Sequence, residues 1–458
     1  MKISVLNPPA ITFAILLSSL FDSEPARAGN CPNPTFVAAG TVPAGTTPGS
    51  VTAGDFNADG KLDLAVANRF SAKVSLLLGR GDGTFQAATN YSVGEGPLSV
   101  VVGDFNSDGK PDLAVADAST NVWVLAGNGD GTFQAPVSHS VGDPSYSVAV
   151  GDLNRDGQPD LVVVKRTTAS ISILLGGSGG TLVASGNYDT GTDPLSVAVG
   201  DFNGDNNPDL AVANSALFGD SPSVSVLLGN GDGTFRAAVN YAAGTSPRSV
   251  AVGDFDGDEK TDLVVANYGS VVDGQFTNSS VSMLPGNGDG TFRAPVNYDA
   301  GQGPLFVVAS DLNGDARADL AVANGRSANV SVLFGNGTGA FVPAANYGVG
   351  LNPDSVAVGD FNGDGQPDMA VANDGGVLVL LNTCVSAGVN LAIARSNNTS
   401  LTVSWPSPST GLVLESATSL SPPNWQPAAE APRVNDGRLE ISVALAQQQQ
   451  RYFRLHKP

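Results

Sequence analysis

"GDFNGDGQPDMAVAN", residues Gly359 to Asn373, places Asp360, Asn362, Asp364 and Asp368 at positions 1, 3, 5 and 9 of an acidic loop, with Gly365 at position 6. Residues 1, 3 and 5 of such a loop can curl their oxygens onto one point, as in half of an EF-hand. An EF-hand closes with Glu at position 12 and runs on into a helix. Here the closing carboxylate comes three residues earlier, and a short Val/Ala run follows, bounded by Asp and Asn, which reads as a strand. The stretch requires a fold that sets acidic loops between strands.

The pattern D-[FL]-[ND]-x-D-x-x-x-D occurs seven times, starting at Asp55, Asp104, Asp152, Asp201, Asp254, Asp311 and Asp360. Intervals run from 48 to 57 residues, and the two longest carry insertions at one place, Ser215 to Ser223 and Tyr268 to Ser280. Each unit reads as strand ("SVAVG"), acidic loop, strand ("DLAVAN"), variable turn, strand ("VSVLLG"), a Gly-rich turn ("NGDG") and a fourth strand ("TFRAAVNY"). Four short strands per unit, repeated seven times, predict an all-β, seven-bladed β-propeller. The seventh unit stops at "VLLNTC", Val379 to Cys384, without its fourth strand, while Cys31 to Val51 reads as a fourth strand without a blade. The two fragments complete each other, so an N-terminal strand is expected to close the last blade and remove an open sheet edge. Cys31 and Cys384, the only cysteines, lie on those fragments and are expected to form a disulfide.

The first 28 residues read as an export signal: Lys2, an apolar core from Ile11 to Phe21, and Ala26-Arg27-Ala28 as the cleavage site. A secreted or periplasmic protein follows, with no membrane span in the mature chain. The propeller is assigned to residues 29–387. From 388 to 458 the repeat ceases, and runs such as Leu401 to Trp405 and Leu439 to Leu445 alternate apolar and polar residues. That segment is expected to be a small β-sandwich resembling fibronectin type III modules.

The net charge is -21, from 22 Lys+Arg against 43 Asp+Glu, which argues against nucleic acid or an anionic membrane as partner. Only His139 and His456 are present, which leaves little room for histidine-dependent catalysis or polyhistidine metal sites. The acidic loops hold 22 carboxylates, enough to account for the net charge. Such hard oxygen donors at fixed offsets point to Ca²⁺.

The expected ligands are side chains at positions 1, 3, 5 and 9 and the backbone carbonyl at 7. They are Asp55, Asn57, Asp59, Lys61 and Asp63; Asp104, Asn106, Asp108, Lys110 and Asp112; Asp152, Asn154, Asp156, Gln158 and Asp160; Asp201, Asn203, Asp205, Asn207 and Asp209; Asp254, Asp256, Asp258, Lys260 and Asp262; Asp311, Asn313, Asp315, Arg317 and Asp319; and Asp360, Asn362, Asp364, Gln366 and Asp368. Position 6, where the loop turns sharply, is Gly in four copies and Asn206 in a fifth. It is Glu259 and Ala316 in copies five and six, which are therefore expected to bind differently or more weakly, unless Gly257 and Gly314 at position 4 relieve the strain.

These repeats resemble the FG-GAP/VCBS family, best known from the propellers at the N-terminal end of integrin α subunits, over roughly residues 31–385. The resemblance implies a seven-bladed propeller with calcium in its D-x-[DN]-x-D-G-x-x-D loops, and no single activity. The leading expectation is a monomeric, non-enzymatic binding or adhesion module for an extracellular protein or polysaccharide, with structural calcium. A lectin is the alternative, using the tyrosines of Asn90-Tyr91, Asn187-Tyr188, Asn240-Tyr241, Asn297-Tyr298 and Asn346-Tyr347 to stack on sugars, although packing between outer strands explains those residues better. A polysaccharide-degrading enzyme is disfavoured because no acid, base or nucleophile constellation breaks the sevenfold pattern. Lys165-Arg166 is the most distinctive departure and reads as a solvated pair, while "RGD" at Arg80 to Asp82 reads as a variant of the "NGD" turn.

Overall fold

The computed structural model describes residues 34–216, 221–272 and 275–383, and beyond them the backbone of seven strands between 392 and 456. The export signal, Cys31 and Cys384 lie outside the described residues.

Seven four-stranded antiparallel sheets follow one another along the chain as blades. In blade one the strands run outward from the axis as Pro48–Gly54, Asp63–Asn68, Lys73–Leu77 and Thr89–Ser92. The acidic loop joins the first two strands, so all seven loops share one face of the ring. The turns from second to third strand share the other face. The insertion in blade five adds a small hairpin there, Ser270–Val272 paired with Gln275–Thr277.

The core lies between blades. In Asp63–Asn68 every residue is buried, because successive side chains point to opposite faces and both faces are covered. Leu64 and Val66 pack with Ala370 and Ala372 of blade seven, while Ala65 and Ala67 pack with Val100, Leu113 and Val115 of blade two. Seven such clusters, one per pair of neighbouring blades, close the circle. This is why the second strand reads as an unbroken apolar run rather than an alternating one.

The ring closes as expected. Phe36–Val42 pairs antiparallel with Gly376–Asn382, from Phe36↔Asn382 to Val42↔Val377, with an irregularity between Ala38 and Gly40. It forms the outer strand of the blade that also holds Ser355–Gly359 and Asp368–Asn373. The Thr383 N–H donates to the Thr35 carbonyl at 2.8 Å.

Around the axis, the hydroxyls of Ser50, Ser99, Ser196, Ser249 and Ser355 each accept the N–H of a valine in the next blade's inner strand at 3.3 Å. The inner strands are thus stitched to one another where their edges would otherwise be bare.

The strands beyond residue 392 form a separate unit of two antiparallel sheets. One has the order Ala392–Asn397, Ser400–Pro406, Arg438–Ala444, Arg433–Asn435, and the other Gln426–Pro427, Val413–Ala417, Tyr452–His456. Among the described residues no helix is long and apolar enough to cross a membrane.

Candidate metal centre

Each acidic loop is wound by its own side chains. In blade one the Asp55 carboxylate accepts the N–H of Asp59 at 3.1 Å and of Gly60 at 2.8 Å, Asn57 Oδ1 accepts the Asp59 N–H at 3.0 Å, and Asp59 Oδ1 accepts the Lys61 N–H at 3.0 Å. Short Asp and Asn side chains are needed because only they reach backbone two to five residues on. The winding gathers positions 1, 3 and 5 within one turn, as the sequence pattern requires. Carboxylate oxygens that accept one N–H keep further lone pairs for a cation.

The closing Asp has a second role that the sequence pattern does not reveal. Asp63, Asp112, Asp160, Asp209, Asp262, Asp319 and Asp368 are all fully buried. Each spans two backbone N–H groups: that of loop residue 2, and that of a residue at the end of the third strand, at 2.6 to 3.0 Å. In six blades the second donor is the first glycine of the Gly-rich turn. A Cβ on Gly79 would sit 2.1 Å from the Leu62 carbonyl oxygen, so only glycine fits against the loop there. Burial, aided by the charges at positions 1 and 5 and opposed by the two N–H bonds, raises Asp63 to about 6 and Asp368 to about 7.

The loops also tie blade to blade. The N–H of Gly131 in blade two donates to the Phe56 carbonyl of blade one at 2.9 Å, and Gly83 of blade one donates to the Phe361 carbonyl of blade seven at 2.9 Å. Blade seven has no Gly-rich turn, and Asn382 supplies both missing contacts. Its N–H donates to Asp368 at 2.7 Å, and its Nδ2 donates to the Leu312 carbonyl of blade six at 3.0 Å. Nothing in the sequence alone marks Asn382, because its meaning depends on which strand comes to lie beside it.

Each loop takes two left-handed residues, at positions 4 and 6. Blades one to three have Ala58, Ser107 and Arg155 at position 4 with Gly at 6, and blades four to six have Gly at 4 with Asn206, Glu259 and Ala316 at 6. The residues other than glycine have φ of 56° to 66°, whereas blade seven has Gly363 and Gly365 at both positions. Backbone strain therefore groups copies five and six with copies one to four, Gly257 and Gly314 offsetting position 6, and sets blade seven apart. Ala316→Gly should raise stability by about 0.5–1 kcal/mol by removing a left-handed Cβ. Urea unfolding checks this, and an unchanged or lower midpoint would count against the strain.

Blade five differs chemically. Asp256 stands at position 3 where the other copies have Asn, and oxygens of Asp254, Asp256 and Asp262 lie within 4.8 Å of one another. Among the described residues this is the one cluster of acidic, His or Cys side chains close enough to hold a metal ion. One cation reaches it, Arg293 Nη2 at 3.0 Å from Asp256, and Lys260 Nζ lies 2.9 Å from Asp258 of the same loop. The donors are hard oxygens, which suit Ca²⁺ or another oxygen-seeking cation.

Other singled-out residues are placed as follows. The tyrosines of the Asn-Tyr pairs pack edge-to-face between blades, Tyr91 on Phe133 at 5.3 Å, Tyr298 on Phe341 at 5.1 Å and Tyr347 on Phe36 at 5.3 Å. They serve the interfaces between outer strands. In the "RGD" turn Asp82 accepts the N–H and hydroxyl of Thr84, and Arg80 donates to the Phe85 carbonyl, so both side chains fold onto their own turn. The reading of Lys165-Arg166 as solvated is corrected. Lys165 is buried and donates to Asn187 Oδ1 at 2.8 Å, while Arg166 pairs with Asp193 and lies over the Tyr146 ring.

A family model described as FG-GAP-like repeat matches residues 55–115, 104–163, 156–212, 215–265, 254–322 and 311–371, more than half of the chain. No curated protein matches. Among solved structures, BBS1N in complex with ARL6DN is similar with a TM-score of 0.53 at 14% identity, covering 77% of this chain and 99% of that one. A catalytically inactive virginiamycin B lyase from Staphylococcus aureus is similar with a TM-score of 0.51 at 12% identity, covering 76% of this chain and 99% of that one. At such identities the likeness is one of fold alone.

Proposed function

This chain belongs to the FG-GAP-like repeat family, and from that premise we propose that it is an exported, calcium-stabilised propeller acting as a non-enzymatic binding module. The observation that carries this reading is the double anchoring of the acidic loops, each through its closing Asp to its own blade and six of the seven through the second residue's carbonyl to the next. A cation held by such a loop stiffens the ring and leaves the opposite face as a rigid platform. Side chains at positions 1, 3, 5 and 9 and the carbonyl at 7 would hold it. Calcium supplies charge neutralisation and cross-linking there.

Lys61, Lys110, Lys260 and Arg317 at position 7 lie 2.9 to 3.9 Å from the Asp at position 5. They are part-exposed, and their contribution to a metal shell is the carbonyl, so the side chains can swing into solvent when a cation enters. Titration calorimetry on chelator-treated protein tests the proposal. Close to seven calcium ions per chain are expected, with magnesium a poor substitute because it demands tighter octahedral geometry. Fewer than one calcium per chain at millimolar concentration would refute it.

A further inference from the structure

The face opposite the acidic loops carries an unbalanced set of polar groups at the mouth of the central channel. The residue just before the serine position of each inner strand contributes to the collar: Gly49, Leu98, Tyr146, Leu195, Arg248, Leu305 and Asp354, around a cavity of about 140 Å³. Six inner strands carry serine at the next position and blade six carries Phe306, which narrows the channel below the collar. Arg69, from the turn after the second strand of blade one, lines the same cavity.

The departures from the repeat are contiguous: Arg248 in blade five, Phe306 in six, Asp354 in seven, and Gly49 with Arg69 in one. Their polar groups are only partly paired: Arg69 acts on the Asp354 carboxylate electrostatically. The Arg248 guanidinium lies over the Tyr268 ring at 4.9 Å, yet its Nε is buried with no hydrogen-bond partner. Among the described residues neither Arg248 nor Arg69 forms an ion pair within 4 Å. Buried polar atoms are nearly always satisfied, so the unpaired Arg248 Nε, facing a cavity mouth with Arg69 and Asp354, stands where a ligand oxygen would accept its N–H.

We infer that this mouth binds a hydroxycarboxylate of the uronic acid type, its carboxylate on Arg248 and Arg69 and a neighbouring hydroxyl donating to Asp354. A guanidinium fork matches a planar carboxylate. The two cations and one carboxylate of the site leave a single positive charge, which a monoanion with a neutral hydroxyl neutralises. A neutral zwitterion leaves that charge uncompensated, and the second carboxylate of glutamate or of a dianion meets Asp354. Tyr146 and the three leucines offer apolar surface to a sugar's C–H face. The inference rests on the binding-module reading but not on its calcium.

The test is calorimetry of the full, calcium-loaded chain with glucuronate, glucose and glutamate as probes. Glucuronate should bind, with glucose and glutamate at least about tenfold weaker, and R248A should weaken glucuronate by about tenfold or more. R248K keeps the charge without the fork and should recover part of the loss. Thermal unfolding of each variant at the parent midpoint confirms that the ring is intact. Equal binding of glucose, tighter binding of glutamate, or unchanged affinity in a folded R248A would each overturn the inference. Absence of glucuronate binding in a chain that takes up seven calcium ions overturns this inference alone and leaves the calcium reading standing.

Discussion

Removing divalent cations with a chelator should lower the thermal midpoint of the propeller by at least about 10 °C. A ligand at a hundred times its Kd stabilises a native state by about 2.7 kcal/mol per site, and seven sites in one closed ring act together. Spread over the unfolding entropy of a domain of this size, even half of that sum is a shift of about 10 °C or more. The same experiment has a pH signature. In the metal-free protein the buried closing carboxylates stand at about 6 in five blades and about 7 in Asp319 and Asp368, above the ordinary value near 4 of an unfolded chain. The folded state then binds more protons than the unfolded state across that window, so stability falls as pH rises from about 4 to 7. Chelated protein should therefore melt higher at pH 5 than at pH 7, and saturating calcium should abolish or reverse the trend. Differential scanning fluorimetry at both pH values decides. A chelator that moves the midpoint at neither pH would remove the structural role of the metal.

The second large effect separates the two roles of the closing Asp. Asp368→Ala leaves the N–H groups of Phe361 and Asn382 without their acceptor in a fully buried site. Each unsatisfied buried donor costs about 1–3 kcal/mol, so a loss of about 3–5 kcal/mol is expected even without metal. Asp364→Ala, at position 5 of the same loop, gives up two local, part-exposed bonds, from the Gln366 N–H at 2.8 Å and from Asn362 Nδ2 at 3.0 Å, whose donors stay open to water, and in chelated protein it should cost about 1 kcal/mol or less. In calcium both variants should lose affinity at this site. Denaturant unfolding of chelated protein distinguishes them, and equal losses would show that the buried tie contributes nothing beyond metal binding.

Much of this was legible in the sequence. The repeat interval, the valine-rich runs and the missing fourth strand of the seventh unit required seven blades and an N-terminal closing strand, because a blade cannot bury its faces or edge alone. The tyrosines of the Asn-Tyr pairs fell where packing between outer strands predicted. Other features were read incompletely. Position 6 suggested that copies five and six were the odd ones and Gly257 and Gly314 at position 4 that they were relieved, but that every loop takes a left-handed residue at both positions showed only in the backbone. Lys165 looked solvated because its place on a strand buried from both sides depends on neighbouring blades. Asn382 carried no signal at all, since its backbone and side chain replace contacts made elsewhere by a turn that this blade lacks.

By itself, then, the sequence determined the repeating unit: strand periodicity and acidic-loop spacing are local, set by alternation of side chains and the short reach of Asp and Asn. Only the tertiary structure decided what closing the ring brings together. It joined each closing Asp to an N–H at the end of the third strand, a glycine's in six blades and that of Asn382 in the seventh, and gathered Arg69, Arg248 and Asp354 from three blades around one channel mouth. Those groups lie far apart along the chain, and their meeting depends on the rotation from blade to blade, which no local pattern encodes.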